Sequence, residues 1–401
     1  MEAQKMIRQK YLITIGLMIA LLIAAIYISI KLNLISVSGI SDNDKNVVFA
    51  QFQNQKDKSN DEITNSRRNI ITETVKNVSP SIVGINVIEI REYKDPFFSM
   101  FDDPFFQRFF GNRGTYNREV KGLGSGYIIS SDGYIVTNDH VAGNATKITV
   151  TLTDGRSFDA KVIGSDNASD ICLIKIDGED LPFVSLGNSD DIIIGEWVIA
   201  LGNPFGLFEL NDKPTVTVGV VSATGMNLDA INNRYYLNMI QTDASINGGN
   251  SGGPLVNSEG EVIGMNTLIF TSGGNTGNIG LGFAIPINKV SRIVEELKEK
   301  GSIDRNFEIG MRIQTIDEGI AKYYHLQSAK GVIVTKIYPN TPAEKGGIEV
   351  GDIIVEVEGF KINNENSIFS VFHEFRSGQT VTIKIIRDEK ELNKQMKLVK
   401  G

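Results

Sequence analysis

Apolar and polar positions alternate in short runs along most of this chain, a period of two that predicts β-strands rather than helices. Between residues 122 and 286 the runs fall at 126–130, 134–137, 147–152, 160–163, 171–176, 197–200, 215–223, 262–267 and 282–285, with 82–87 as an earlier strand. Gly, Asn and Asp separate them, and Ser131-Asp132-Gly133 and Ser258-Glu259-Gly260 read as hairpin turns. Many short strands with little helix between them point to antiparallel barrels or sandwiches. The pattern changes to a helical period at Val290, Ile293, Val294 and Leu297, with Lys298 and Lys300 at the end favoured by the helix dipole and Gly301 as the stop. Beyond this seam, residues 307–401 alternate again and have the size of one small domain. A helix over 367–375 is expected inside it, with His373 structural.

Two stretches break the alternation. Residues 11–30 carry no charge and are long enough for a helix to cross ~30 Å of hydrocarbon. Lys5, Arg8 and Lys10 precede them and only Lys31 follows closely, so residues 1–10 are expected in the cytoplasm and the rest outside it. A cleaved signal peptide would have a shorter apolar core and a small-residue cleavage site, which Ser36-Val37-Ser38 hardly offers. Polar residues 31–66 then read as a tether. The second break holds seven Phe between residues 95 and 110. Such an apolar run cannot stay in water without packing locally or inviting association.

Composition narrows the classes. With 401 residues, two domains plus extensions are the prior. A net charge of −8 argues against a nucleic-acid binder, which needs a basic face. The single cysteine, Cys172, excludes an intrachain disulfide and lies in an apolar strand pattern, where it reads as a core residue. No metal-ligand cluster is visible, and no cofactor is expected.

Chemistry concentrates at Gly249-Asn250-Ser251-Gly252-Gly253-Pro254. A serine among glycines can expose its hydroxyl, and the N–H groups of Gly249 and Ser251 can converge on a developing oxyanion. Gly-x-Ser-x-Gly also occurs in the nucleophile elbow of α/β-hydrolases, but that motif needs a helix after the serine and the order Ser, acid, His. Here a strand follows, and only His325 and His373 lie downstream, in the terminal domain. The order His, Asp, Ser fits instead: His140 directly follows a strand, and Asp170 opens another.

These residues carry a resemblance. Residues 135–141 and 169–176, Gly202-Asn203-Pro204-Phe205-Gly206-Leu207, residues 241–254 and 280–286 are similar to the HtrA (Deg) family of envelope serine proteases, over about residues 67–401. The resemblance implies a chymotrypsin-like double β-barrel over 67–300, with His140 as general base, Asp170 orienting it and Ser251 as nucleophile. It implies one PDZ domain over 301–401, in which Glu308-Ile309-Gly310-Met311 matches the carboxylate-binding loop and residues 341–348 and 350–354 a later signature. Ile309, Gly310 and Met311 would then hold a C-terminal peptide added to the sheet edge. Unfolded or partly folded proteins are the implied substrates and a homotrimer the implied assembly.

Departures from the family add expectations. Asn250 replaces the Asp of digestive relatives and cannot neutralise a new N-terminus, so activity is expected to depend on loop ordering. Gly248 stands where the family has Pro, which loosens the loop. Ser245, with Ile279, Gly280, Leu281, Gly282 and Phe283, is expected to form a pocket for small aliphatic residues. Quality control of damaged proteins, a single regulated cut in a signalling partner, and a chaperone or scaffold role all remain open.

Overall fold

Several strands of the protease region serve two cores at once. The computed structural model describes residues 67–94, 115–203, 213–228, 230–269 and 280–401, and residues 69–401 belong to one unit. Strands β1 (Ile82–Lys94), β2 (Thr115–Ile128), β3 (Tyr134–Thr137), β4 (Lys147–Leu152), β5 (Ser157–Asp166) and β6 (Ile171–Ile176) close into a barrel in the order β1-β2-β3-β6-β5-β4. Along β6, Cys172, Ile174 and Ile176 fill the barrel, while Ile171 and Leu173 face outward into a second core. This is the period of two turned into packing. Burial pushes the Cys172 thiol up to about 12, so it stays an uncharged core group.

A second barrel forms after β7 (Ser185–Leu186), from β8 (Trp197–Gly202), β9 (Thr215–Met226), β10 (Met239–Thr242), β11 (Pro254–Asn257), β12 (Glu261–Ile269) and β13 (Gly282–Pro286). It closes because β11 pairs with both β8 and β12. Val198, Ala200, Leu255, Ile263 and Ala284 fill it, and Ile199, Leu201, Val256, Met265 and Ile285 meet Ile171 and Leu173 between the barrels. Closure leaves neither barrel with an open edge.

Helices seal the pair. Helix α1 (Ile70–Val78), which the pattern did not foretell, starts in a capping box between Asn69 and Thr72. The four-residue α2 (Asp139–Ala142) follows β3 directly. The predicted seam helix is α3 (Ile287–Lys300), and it drops Val290, Ile293, Val294 and Leu297 into the inter-barrel core. Gly301 ends it at φ 74°, with its N–H on the Leu297 carbonyl.

The terminal domain is a sheet of β14 (Met311–Thr315), β15 (Val332–Ile337), β16 (Ile353–Val357), β17 (Phe360–Lys361), β18 (Thr380–Arg387) and β19 (Lys390–Lys397). It carries α4 (Glu318–Tyr323), α5 (Pro342–Lys345) and α6 (Glu365–Phe372). The helix expected over 367–375 thus starts and stops earlier, because Asn364 caps it with Ser367 and His373 already sits at its C-terminal cap. Arg305 pairs with Asp166 of β5, Glu374 with Lys289 and Arg292, and Arg376 with Glu296, which joins this domain to the first barrel and to α3.

The expected membrane span at 11–30 and the Phe-rich stretch at 95–110 lie outside the described residues. No helix among the described residues is long and apolar enough to cross a membrane.

Candidate active site

The acid is built first. Asp170 is fully buried at the start of β6, in a left-handed conformation (φ 58°) that Asp tolerates better than most residues. Pairing of Thr137 with Cys172 brings the end of β3 alongside, so α2 presents His140 to Asp170. His140 Nδ1 lies 3.0 and 2.9 Å from the two Asp170 oxygens, and the His140 backbone N–H donates to Oδ1 at 3.0 Å. Thr267 Oγ1 and Tyr236 OH donate to Oδ2 at 2.8 and 3.2 Å. Arg234 Nε adds an ion pair at 3.1 Å from Oδ1, without hydrogen-bond alignment, while its Nη2 bonds Asp139 at 2.9 Å. Burial pushes the Asp170 carboxyl up, but the His140 and Thr267 donors outweigh it and hold the group below the ordinary carboxylate value.

Ser251 arrives from the second barrel, in the loop between β10 and β11. With His140, Gly249, Val87, Gly122 and Leu123 it lines one cavity of about 280 Å³. His140 is one-third exposed there, and among the described residues its Nε2 has no partner. The Ser251 hydroxyl donates to the Thr267 carbonyl at 3.3 Å rather than to His140. Gly249 has φ 100°, and the N–H groups of Gly249 and Ser251 meet no acceptor among the described residues. The Asn250 side chain is buried with neither polar atom paired.

The residues expected in a substrate pocket scatter. Ser245 is exposed, and its carbonyl accepts from Thr217 Oγ1 at 2.7 Å. Gly280 is exposed, Leu281 leans on the inter-barrel core, and Gly282 opens β13 against Ile246. Phe283 pairs with Gln241 in the ladder, which turns its side chain into the core. None of these five lines the cavity of Ser251, and Ile279 lies outside the described residues.

In the terminal domain, Ile309 and Met311 line a groove of about 380 Å³ with Ile313, Thr335, Glu365 and Phe369, between β14 and α6. Gly310 lies behind it at φ 76°, its carbonyl accepting from the Tyr338 N–H at 2.9 Å. A Cβ there would fall 2.0 Å from that of Thr341, so only glycine fits.

Sequence reasoning missed Thr267, Arg234, Tyr236 and Asn138, whose amide donates to Thr267 Oγ1 and to the Asp170 carbonyl. Residues 234–237 alternate without being a strand. Arg234 and Tyr236 turn to Asp170, Tyr235 stacks on His373 at 4.0 Å between ring centres, and Leu237 enters the core of the terminal domain. Among the described residues, no three His, Cys, Asp or Glu are grouped to hold a metal ion.

Two six-stranded barrels with a His–Asp pair facing a serine across their junction define the trypsin-like peptidase class. Residues 124–265 match the trypsin-like peptidase domain family, and residues 307–398 match the PDZ domain family. A probable periplasmic serine endoprotease, DegP-like, of Chlamydia trachomatis is 42% identical over 309 residues, 75% of this chain and 60% of the relative. One of the same description from Hahella chejuensis is 39% identical over 331 residues, covering 80% of this chain and 68% of the relative. The solved HtrA-type protease AlgW with a decapeptide is 33% identical at TM-score 0.60, over 82% of this chain and 98% of that one. The chain belongs to the HtrA family of serine proteases, with a single PDZ domain. It spans about 60% of the length of the Chlamydia relative.

Proposed function

We propose that this protein is a serine endopeptidase that cleaves unfolded or partly folded proteins in quality control on the periplasmic side of the inner membrane. The observation that carries this reading is the single cavity shared by His140, Gly249 and Ser251, with Asp170 behind His140. In the proposed mechanism Ser251 Oγ attacks a peptide carbonyl as His140 Nε2 takes its proton. Asp170 stabilises the resulting imidazolium, and the N–H groups of Gly249 and Ser251 hold the oxyanion. His140 then protonates the leaving amine, and water releases the acyl group by the same route. No metal or cofactor has a part in this scheme.

The remaining expectations join the proposal: a cytoplasmic segment 1–10, an anchor 11–30, a tether 31–66, a protease domain 67–300, a PDZ domain 301–401 and a homotrimer. The groove beside Ile309, Gly310 and Met311 would take C-terminal peptides, in keeping with the peptide complexes named for AlgW. Cleavage after small aliphatic residues is proposed from the family resemblance and not from the cavity of Ser251, which Ser245 and residues 280–283 do not line. Profiling of cut sites that returned mainly basic residues would reject it. A regulated enzyme making one cut in a signalling partner is the second reading, favoured by the Ser251 hydroxyl being turned to Thr267. Casein digestion by the full chain, with and without hydrophobic C-terminal peptides and with Ser251→Ala as control, separates them. Digestion without peptide supports quality control, and digestion only with peptide supports gating. No digestion in either case points to a chaperone or scaffold.

A further inference from the structure

We propose that Ser125 is a positioning residue for the oxyanion hole: its hydroxyl latches the Gly249 carbonyl and so aims the N–H groups of Gly249 and Ser251. This rests on the reading of Ser251 as the nucleophile. Ser125 lies near the end of β2, fully buried, and joins three segments that meet under the site. Its backbone N–H donates to the Ser251 carbonyl at 3.0 Å. Its carbonyl accepts from Thr137 Oγ1 at 2.7 Å, at the end of the strand that delivers His140. Its Oγ accepts the Asn203 N–H at 2.7 Å and donates to the Gly249 carbonyl at 2.5 Å. The polarity is fixed by chemistry. A backbone N–H can only donate and a carbonyl can only accept, so the one hydroxyl proton goes to Gly249.

The Gly249 carbonyl belongs to the Gly249–Asn250 peptide unit. The other end of that unit, the Asn250 N–H, donates to the Asn247 carbonyl at 3.0 Å. This plane is therefore pinned on both sides. The planes before and after it carry the N–H groups of Gly249 and Ser251, the two without an acceptor among the described residues. With glycine at both 248 and 249, backbone rotation in the loop is cheap, so an outside contact decides where those donors point. Glycines close the space around the latch. A Cβ on Gly202 would come within 2.9 Å of Ser125 Oγ, and one on Gly252 within 2.3 Å of its carbonyl oxygen. A side chain as small as serine fits there and still offers a donor.

The test uses the full chain with a chromogenic peptide and a peptide aldehyde, which forms an oxyanion on the serine. Ser125→Ala is expected to lower kcat about 10- to 100-fold with KM within about twofold, and to weaken aldehyde inhibition by the factor lost in kcat/KM. Binding of a non-covalent product peptide should stay unchanged. Full kcat in a folded Ser125→Ala enzyme would overturn the latch. So would equal losses in turnover and product binding with a lowered unfolding midpoint, which mark a general structural role. If Ser125→Ala does not fold, Ser125→Cys, close in size and a weaker donor, decides. Reduced kcat at constant KM supports the latch, and unchanged kcat overturns it. Ser251→Ala run alongside keeps the two readings apart: turnover surviving there removes the nucleophile assignment and the latch with it, whereas a dead Ser251→Ala beside a normal Ser125→Ala removes the latch alone.

Discussion

The two barrels hold their shares of the site by different means. Asp170 of the first barrel is enclosed by its own barrel's His140 and by Thr267 and Tyr236 of the second, with Arg234 facing it, and the β3–β6 ladder sets its distance from His140. In the second, Ser251 sits among Gly248, Gly249, Gly252 and Gly253, and among the described residues its hydroxyl makes one hydrogen bond, at 3.3 Å. A buried carboxylate left unpaired is costly, so its surroundings must be over-determined. A neutral hydroxyl carries no such demand and can change rotamer for little energy. In the proposed mechanism the acid–base pair is thus ready in advance, while Ser251 has to turn from Thr267 to His140.

The largest expected effect is common to both halves. Ser251→Ala and His140→Ala should each lower kcat by on the order of 10⁴- to 10⁶-fold, and the double variant should lose little more. Losses that multiply in steady-state assays would show that the two do not act as one unit.

Asp170→Asn separates the halves. It should cost about 10⁴-fold in kcat and, unlike Ser251→Ala, about 3 kcal/mol of stability in denaturant titration, because Arg234 keeps only Asp139. The depressed Asp170 value sets the sign with pH. Its stabilisation is complete above the ordinary carboxylate value and lost as pH falls through the folded value. The stability gap between parent and Asp170→Asn should therefore narrow in acid. A gap that widens would contradict the depressed carboxyl.

Tyr236→Phe removes one of several donors to the same carboxylate and should lower kcat only about 2- to 5-fold, with about 1 kcal/mol of stability. A loss as large as that of Asp170→Asn would mean that the shell around the acid is not redundant.

The smallest effect concerns His373, which stacks on Tyr235 next to these residues. Burial holds its ring below the ordinary histidine value, against the pull of the Phe369 carbonyl on Nδ1. The stabilisation it provides is present above about pH 6.5 and lost as pH falls through its lowered value. The parent's unfolding midpoint should drop more between pH 7.5 and 5 than that of His373→Phe, by about a few degrees. Parallel curves would leave the stack without a pH-dependent part.

Much of the frame was legible because strand packing obeys a local rule. The alternation in residues 171–176 became the division of β6 between two cores, and Gly301 ended α3 where its glycine made a left-handed cap cheap. Helix α1 was not legible. Its Asn69 cap looks like any polar residue until Val78 is seen in the inter-barrel core. Phe283 was expected in a pocket wall, whereas its ladder pairing with Gln241 turns its side chain into the inter-barrel core, a placement that only the tertiary structure shows.

The chain by itself therefore determined the strand periods, the order His140, Asp170, Ser251 and the glycines that make a close approach to Ser251 possible. All of these are local or depend only on order along the chain. Tertiary structure alone decided that Thr267, Tyr236 and Arg234 surround Asp170, that Ser125 reaches Gly249, and that the Ser251 hydroxyl faces Thr267. The Tyr236–Asp170, Thr267–Asp170 and Ser125–Gly249 pairs stand 66, 97 and 124 positions apart, and packing of the two barrels against each other brings such distant positions within hydrogen-bond reach.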